Sequence, residues 1–135
     1  MKKAYIIFAH SLPHQLNRFA EQLTADSDSD VYIHISKQSE KMKTEVIQNP
    51  HIFISERNID TPWGSDALLN AMLIMLNEVL SASNQYDYII FCSGQDLLVR
   101  NDLDLFLVKN KGKVFVDGCK DNKEQRARLL YKWPI

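Results

Sequence analysis

The chain has 135 residues, 45% of them hydrophobic, which suffices for one globular core while leaving two independent domains each marginal, so a single domain over residues 1–135 is expected. Sixteen basic against seventeen acidic residues leave a net charge of -1, which excludes the electrostatic footprint of a nucleic-acid binder, and any phosphate must be held locally. The cysteines, Cys92 in an apolar run and Cys119 in a polar stretch, make neither a disulfide framework nor a metal spacing and fit a reducing cytoplasm.

Met1-Lys2-Lys3 precedes an apolar run too short for a signal or an anchor, and the longest wholly apolar run, Ala71 to Leu76, is far below a membrane span. A soluble cytoplasmic chain is expected, with peripheral contact at the inner membrane left open.

Ala4 to Ala9 reads as the first strand, ending at the polar pair His10-Ser11. Ser11 can cap a helix, Pro13 suits its first turn, and Leu12, Leu16, Phe19, Ala20 and Leu23 fall on one helical face that should pack on the sheet. Ala25 to Asp30 reads as a solvated loop rather than a metal site. Val31 to Ile35 is a second strand with a polar tip at Ser36-Lys37, Glu40 to Gln48 is weakly helical, and Asn49-Pro50 breaks it before a short strand at His51 to Ile54. Glu56 to Pro62 is a loop. The longest helix should then run from a cap at Gly64 or Ser65 to about Ser83, and its composition predicts burial over most of its girth.

Tyr86 to Asp96 organises the rest. Tyr88 to Cys92 has no polar alternation, as expected for a central strand covered on both faces. It stops in the turn Ser93-Gly94-Gln95-Asp96, where a hydroxyl, an amide and a carboxylate surround a glycine that permits close backbone approach. A helix capped by Asn101 or Asp102 carries Leu103, Phe106 and Leu107 and ends at Asn110-Lys111-Gly112, and Val114 to Val116 reads as a further strand. Glu124 to Trp133 is a charged, weakly amphipathic segment, and the chain closes as if cut short. The alternation predicts an α/β layered fold with a mainly parallel sheet, whose functional groups collect at the carboxyl ends of the strands.

With four glycines in all, neither a dinucleotide fingerprint nor a P-loop can be written. His10, His14, His34 and His51 have no metal spacing and read as packed or solvated histidines, and Cys92 as a structural thiol. No metal site and no cofactor are expected.

Taken together, Ala4-Tyr-Ile-Ile-Phe-Ala-His10, Val31-Tyr-Ile-His-Ile-Ser-Lys37, Trp63-Gly64 before a long helix, and Tyr86 to Asp96 resemble the core-2/I-branching β-1,6-N-acetylglucosaminyltransferase family in its bacterial form, over residues 3 to 116. The resemblance implies a Rossmann-like glycosyltransferase A-type fold, incomplete here, whose N-terminal half binds a UDP-sugar for inverting, metal-independent transfer to a glycan acceptor in surface glycan synthesis. It places His10 and Ser36 at the nucleoside, and Trp63, Gly64, Ser93, Gly94, Gln95 and Asp96 at the sugar and diphosphate. Three departures stand out: Ser36 where the family usually has aspartate, Ser65 for a second glycine, and Leu98 for a common proline.

The family's catalytic glutamate and the basic residues that grip the diphosphate belong to a C-terminal half that these residues do not include, so no catalytic residue is assigned and the chain alone is expected to be inactive. The competing expectation is a non-catalytic module of the same fold that binds a nucleotide sugar or a protein. A receiver-like or flavodoxin-like domain fits poorly, because His10-Ser11 stands where a receiver needs clustered acids and no hydroxyl- and glycine-rich phosphate loop is present.

Overall fold

The structure, a computed structural model, describes residues 1–62 and 65–116. These fall in two compact units, residues 1–99 and a second unit beginning at Arg100. Trp63, Gly64, Cys119 and the Glu124 to Trp133 segment lie outside the described residues.

The first unit is built on a four-stranded, all-parallel sheet in the order β3-β2-β1-β4. Its strands are β1 (Lys3–Ala9), β2 (Ser29–Ile35), β3 (Ile52–Ile54) and β4 (Tyr88–Ser93). Helix α1 (Pro13–Leu23) connects β1 to β2, a 3-10 segment (Lys37–Glu45) leads to β3, and α2 (Ala67–Ser81) crosses from β3 to β4. The chain builds outward from β1 through β2 to β3, then returns across the sheet to lay β4 on the other side of β1. Right-handed crossovers in opposite directions put their helices on opposite faces, which makes the unit an α/β, Rossmann-like arrangement.

Burial follows the pleat. Ala4, Ile6 and Tyr32 point to one face and form a core with Met75 and Val79 of α2, against which Phe8, Ala82, Tyr86 and Ile89 pack. Tyr5, Ile7, Val31 and Ile33 alternate with them toward the other face, and Leu16, Phe19, Ala20 and Leu23 of α1 are buried. The two inner strands β1 and β2 are buried along almost their entire length, as required of strands covered by helices on both sides.

Several expectations are corrected. The strand at Tyr88 to Ser93 is at the edge of the described sheet, not its centre, and is only half-buried, with Phe91 41% exposed. Its apolar run reads the same in either place, since strand order is set by the crossover and not by the strand. Helix α2 buries only the stripe Ala71, Met75 and Val79, while Leu68, Leu69, Leu73 and Leu80 are exposed.

Leu12 is not on the buried face of α1; it occupies the N-cap position at φ 58 in the left-handed region and is exposed, and Ser11 does not cap. Asp30 does not belong to a solvated loop, because it lies inside β2 and is 2% exposed. The region from Lys37 is a 3-10 segment kinked at Ser39, with Met42 and Val46 buried.

In the second unit, α3 (Leu103–Lys109) starts at Asp102 and gives way to a turn in which Gly112 takes φ 80. Asp102 does not cap through its side chain; it receives the guanidinium of Arg100, whose Nε donates to Oδ1 at 2.8 Å. Val114 to Val116 forms no strand and is exposed, although the Phe115 ring lies against Phe106, tilted by 44° with centroids 5.1 Å apart. With no pairing strand among the described residues, a β-forming tripeptide has nothing there to satisfy its ladder.

Candidate functional site

Because β2, β1 and β4 are parallel, adjacent and in register, their carboxyl ends emerge along one edge. The order in which strands are added reverses between β1 and β4, and the crevice outside a parallel sheet at such a switch point is the usual ligand position in α/β folds. His10 follows β1, Ser36 follows β2, and Ser93-Gly94-Gln95-Asp96 closes β4. Residues separated by up to 86 positions are thus brought to one edge.

The end of β4 is stitched to β1. Gly94 N donates to Phe8 O at 2.8 Å, and a β-carbon at position 94 would lie 2.8 Å from that of Ala9 and 3.3 Å from Phe8 O. The turn satisfies itself: Asp96 Oδ2 accepts from Ser93 N at 2.8 Å, Asp96 N donates to Ser93 O at 3.0 Å, and Gln95 N donates to Ser93 Oγ at 3.3 Å. One Asp96 oxygen is therefore engaged within the turn, while the side chain remains exposed.

Two glutamines of α1 grip the segment that follows. Gln15 Nε2 donates to the carbonyl of Gln95, and the Gln22 amide accepts from Leu98 N at 3.2 Å and reaches Leu98 O at 3.5 Å. The turn after Asp96 is thereby held without the proline common in the resembling family. The spacing of seven, two helical turns, was a signal available in the sequence, but nothing there named the partner segment.

Behind the turn, burial pushes the Cys92 thiol up to about 12, with the Asp96 charge adding to the shift. The thiol stays protonated and unreactive. Among the described residues no cluster of three or more His, Cys, Asp or Glu side chains could hold a metal ion.

At the end of β2 the picture differs. Ser36 is 4% exposed and continues the ladder, its N–H donating to Ala9 O at 2.9 Å. Its hydroxyl accepts from Thr61 N at 3.4 Å, which leaves the hydroxyl proton to donate elsewhere. His10 is exposed, and its carbonyl accepts from Ser39 Oγ at 2.6 Å. The left-handed Leu12 turns the chain into α1 immediately beyond it, at a cost of about 1–3 kcal/mol that surrounding contacts must offset.

A second polar cluster, which no motif announced, lies at the opposite, amino edge. Asp30 Oδ2 accepts from Tyr86 Oη at 2.7 Å and from Asn84 Nδ2 at 3.0 Å, and Oδ1 lies 2.8 Å from His51 Nδ1. Tyr32 and Tyr86 share a hydroxyl contact of 2.9 Å. Burial raises the carboxyl of Asp30, but the hydrogen bonds from His51 and Tyr86 outweigh it and hold the group below its ordinary value. The cluster ties β2, the start of β3 and the loop entering β4 into one unit.

No protein-family model matches the chain. It is similar to a xylosyltransferase of Ciona intestinalis, 28% identical over 134 residues, covering 93% of this chain and 16% of that protein. It is also 27% identical over 110 residues to xylosyltransferase oxt of Drosophila pseudoobscura pseudoobscura and 26% identical to that of Drosophila melanogaster, covering 77% of this chain and 12% of each relative. The chain thus spans less than a fifth of the length of these relatives. The similarity supports a glycosyltransferase relationship at the coarse level and does not single out the branching N-acetylglucosaminyltransferases. Among the described residues no helix is long and apolar enough to cross a membrane.

Proposed function

We propose that residues 1–135 form the nucleotide-sugar-binding part of a glycosyltransferase, with the donor seated at the carboxyl edge of the parallel sheet. The observation that carries this reading is the meeting of His10, Ser36 and the Ser93 to Asp96 turn at one edge. The similarity to xylosyltransferases favours the same class.

In this reading the nucleoside lies near His10 and Ser36, and the sugar and diphosphate lie against Ser93, Gly94, Gln95 and Asp96, with Trp63 and Gly64 bordering them. Gly94 permits close approach of the turn to β1, and the exposed Asp96 and Gln95 side chains supply an acceptor and a neutral amide for sugar hydroxyls. The finer expectation is an inverting, metal-independent transfer from UDP-N-acetylglucosamine to a glycan acceptor in surface glycan synthesis, by a cytoplasmic protein. Transfer requires a base at the acceptor hydroxyl and strong donors against the departing diphosphate. The resemblance assigns both to a C-terminal half.

A second donor, UDP-xylose, is favoured by the similarity to xylosyltransferases. A non-catalytic nucleotide-sugar-binding or protein-interaction module is the alternative within the same fold.

Calorimetry with UDP, UDP-N-acetylglucosamine and UDP-xylose, each with and without chelator, tests the reading. Metal-independent binding weakened by Asp96→Asn and Ser93→Ala is expected. No binding of any of the three, or binding only with manganese, would overturn it.

A further inference from the structure

The loop between β3 and α2 reaches the carboxyl edge at Ile59, where both of its backbone groups are held from β2 and the residues after it. Ile59 N donates to His34 Nε2 at 3.1 Å, and Ile59 O accepts from Lys37 N at 3.2 Å. Two residues on, Thr61 N meets Ser36 Oγ at 3.4 Å. Among these anchors, the His34 ring is the one side chain that titrates near neutrality.

His34 is 1% exposed and lies against Phe8 with ring centroids 5.8 Å apart. An imidazole that accepts at Nε2 is neutral and carries its proton on Nδ1, since the protonated ring has no acceptor. Protonation would set two N–H groups against each other at Ile59 and place a charge in the core beside Phe8.

The charges facing the ring are Glu78 of α2 and Lys43 of the 3-10 segment. Burial lowers the readiness of His34 to take a proton, the Glu78 charge works the other way, and Lys43 adds to the burial effect. Glu78 accepts from Ser55 Oγ at 2.7 Å, and Lys43 lies 3.6 Å from Glu40 and 3.5 Å from Glu56, so the Lys43 charge is partly compensated while the Glu78 carboxylate is hydrogen-bonded by a neutral hydroxyl.

We propose that His34 is a positioning residue, whose neutral ring latches the β3–α2 loop to the carboxyl edge and releases it on protonation. The loop carries Thr61 to Ser36, so release also loosens the nucleoside end of the site; this second consequence rests on the donor-binding reading above. Opening is favoured as pH falls below 6.5, the ordinary imidazole value that the released ring regains, and levels off below the lowered value of the closed state.

The test is NMR on the full chain from about pH 8 to about pH 5, following the His34 ring and the protection factor of the Ile59 amide, with UDP calorimetry in parallel. In the wild type, Ile59 protection should fall by up to about tenfold per pH unit within that window, the limit for one linked proton. His34→Gln, whose amide oxygen can accept from Ile59 but does not titrate, should hold it flat. UDP affinity should weaken with the same midpoint. Ile59 protection that ignores His34 titration, or the same pH dependence in His34→Gln, overturns the latch; the wild-type titration alone decides should that variant fail to fold. Protection that tracks His34 while UDP binds at no pH leaves the latch standing and removes the donor-binding reading.

Discussion

Gly94 and Ala9 are so close that position 94 has no room for a β-carbon: one built there falls 2.8 Å from the Ala9 side chain. The contact draws the turn after β4 onto the end of β1, where Gly94 N bonds Phe8 O at 2.8 Å.

Gly94→Ala should therefore destabilise the protein by about 1–3 kcal/mol, the usual cost of forcing atoms into a packed site. Thermal unfolding of the single variant and of the double variant Ala9→Gly/Gly94→Ala measures it. Removal of the opposing β-carbon should recover part of the loss, and a single variant as stable as the wild type would show that the strand ends relax freely.

The buried Asp30 cluster should govern acid stability. Its carboxyl is held below the ordinary 3.8 in the fold, so the unfolded chain binds the proton more readily. The stabilisation is then complete above 3.8 and is lost as pH falls toward the lower folded value. Tyr86→Phe removes the 2.7 Å bond to Asp30 and should cost about 1.5–3 kcal/mol at neutral pH. Urea titrations at neutral pH and near pH 3 should show a smaller difference between variant and wild type in acid.

Cys92 should resist alkylation. Its thiol is pushed up to about 12 by burial and by Asp96, leaving almost no thiolate near neutrality. In a Cys119→Ser background, iodoacetamide at about pH 8 should modify Cys92 only when the protein is unfolded. Rapid labelling of the folded protein would contradict the burial.

Met75 and Leu80 sit on the same helix with opposite surroundings, 0% and 67% exposed. Met75→Ala should cost about 2–5 kcal/mol through the cavity it leaves, whereas Leu80→Lys should change stability by less than about 0.5 kcal/mol. Chemical denaturation distinguishes the two, and equal losses would place both residues in a core.

What the chain's own order of residues determined was the kind and sequence of its elements. Unbroken β-forming runs at Ala4 to Ala9 and Val31 to Ile35, the helical spacing of Leu16, Phe19, Ala20 and Leu23, and polar residues after each strand were enough to anticipate an α/β unit with polar strand ends along one edge. These signals are local: periodicity and turn chemistry act over a few residues. Tertiary structure decided what depends on neighbours distant in sequence. The Tyr88 to Ser93 strand became an edge of the described sheet because α2 crosses back over β1, and four of α2's five leucines stayed exposed because one sheet face covers only one stripe of a helix. The burial of Asp30 depended on Asn84 and Tyr86, more than fifty residues away. The roles of His34 and of Gln15 and Gln22 arose in the same way, since a side chain's hydrogen-bond partner is fixed by which backbone the fold carries past it.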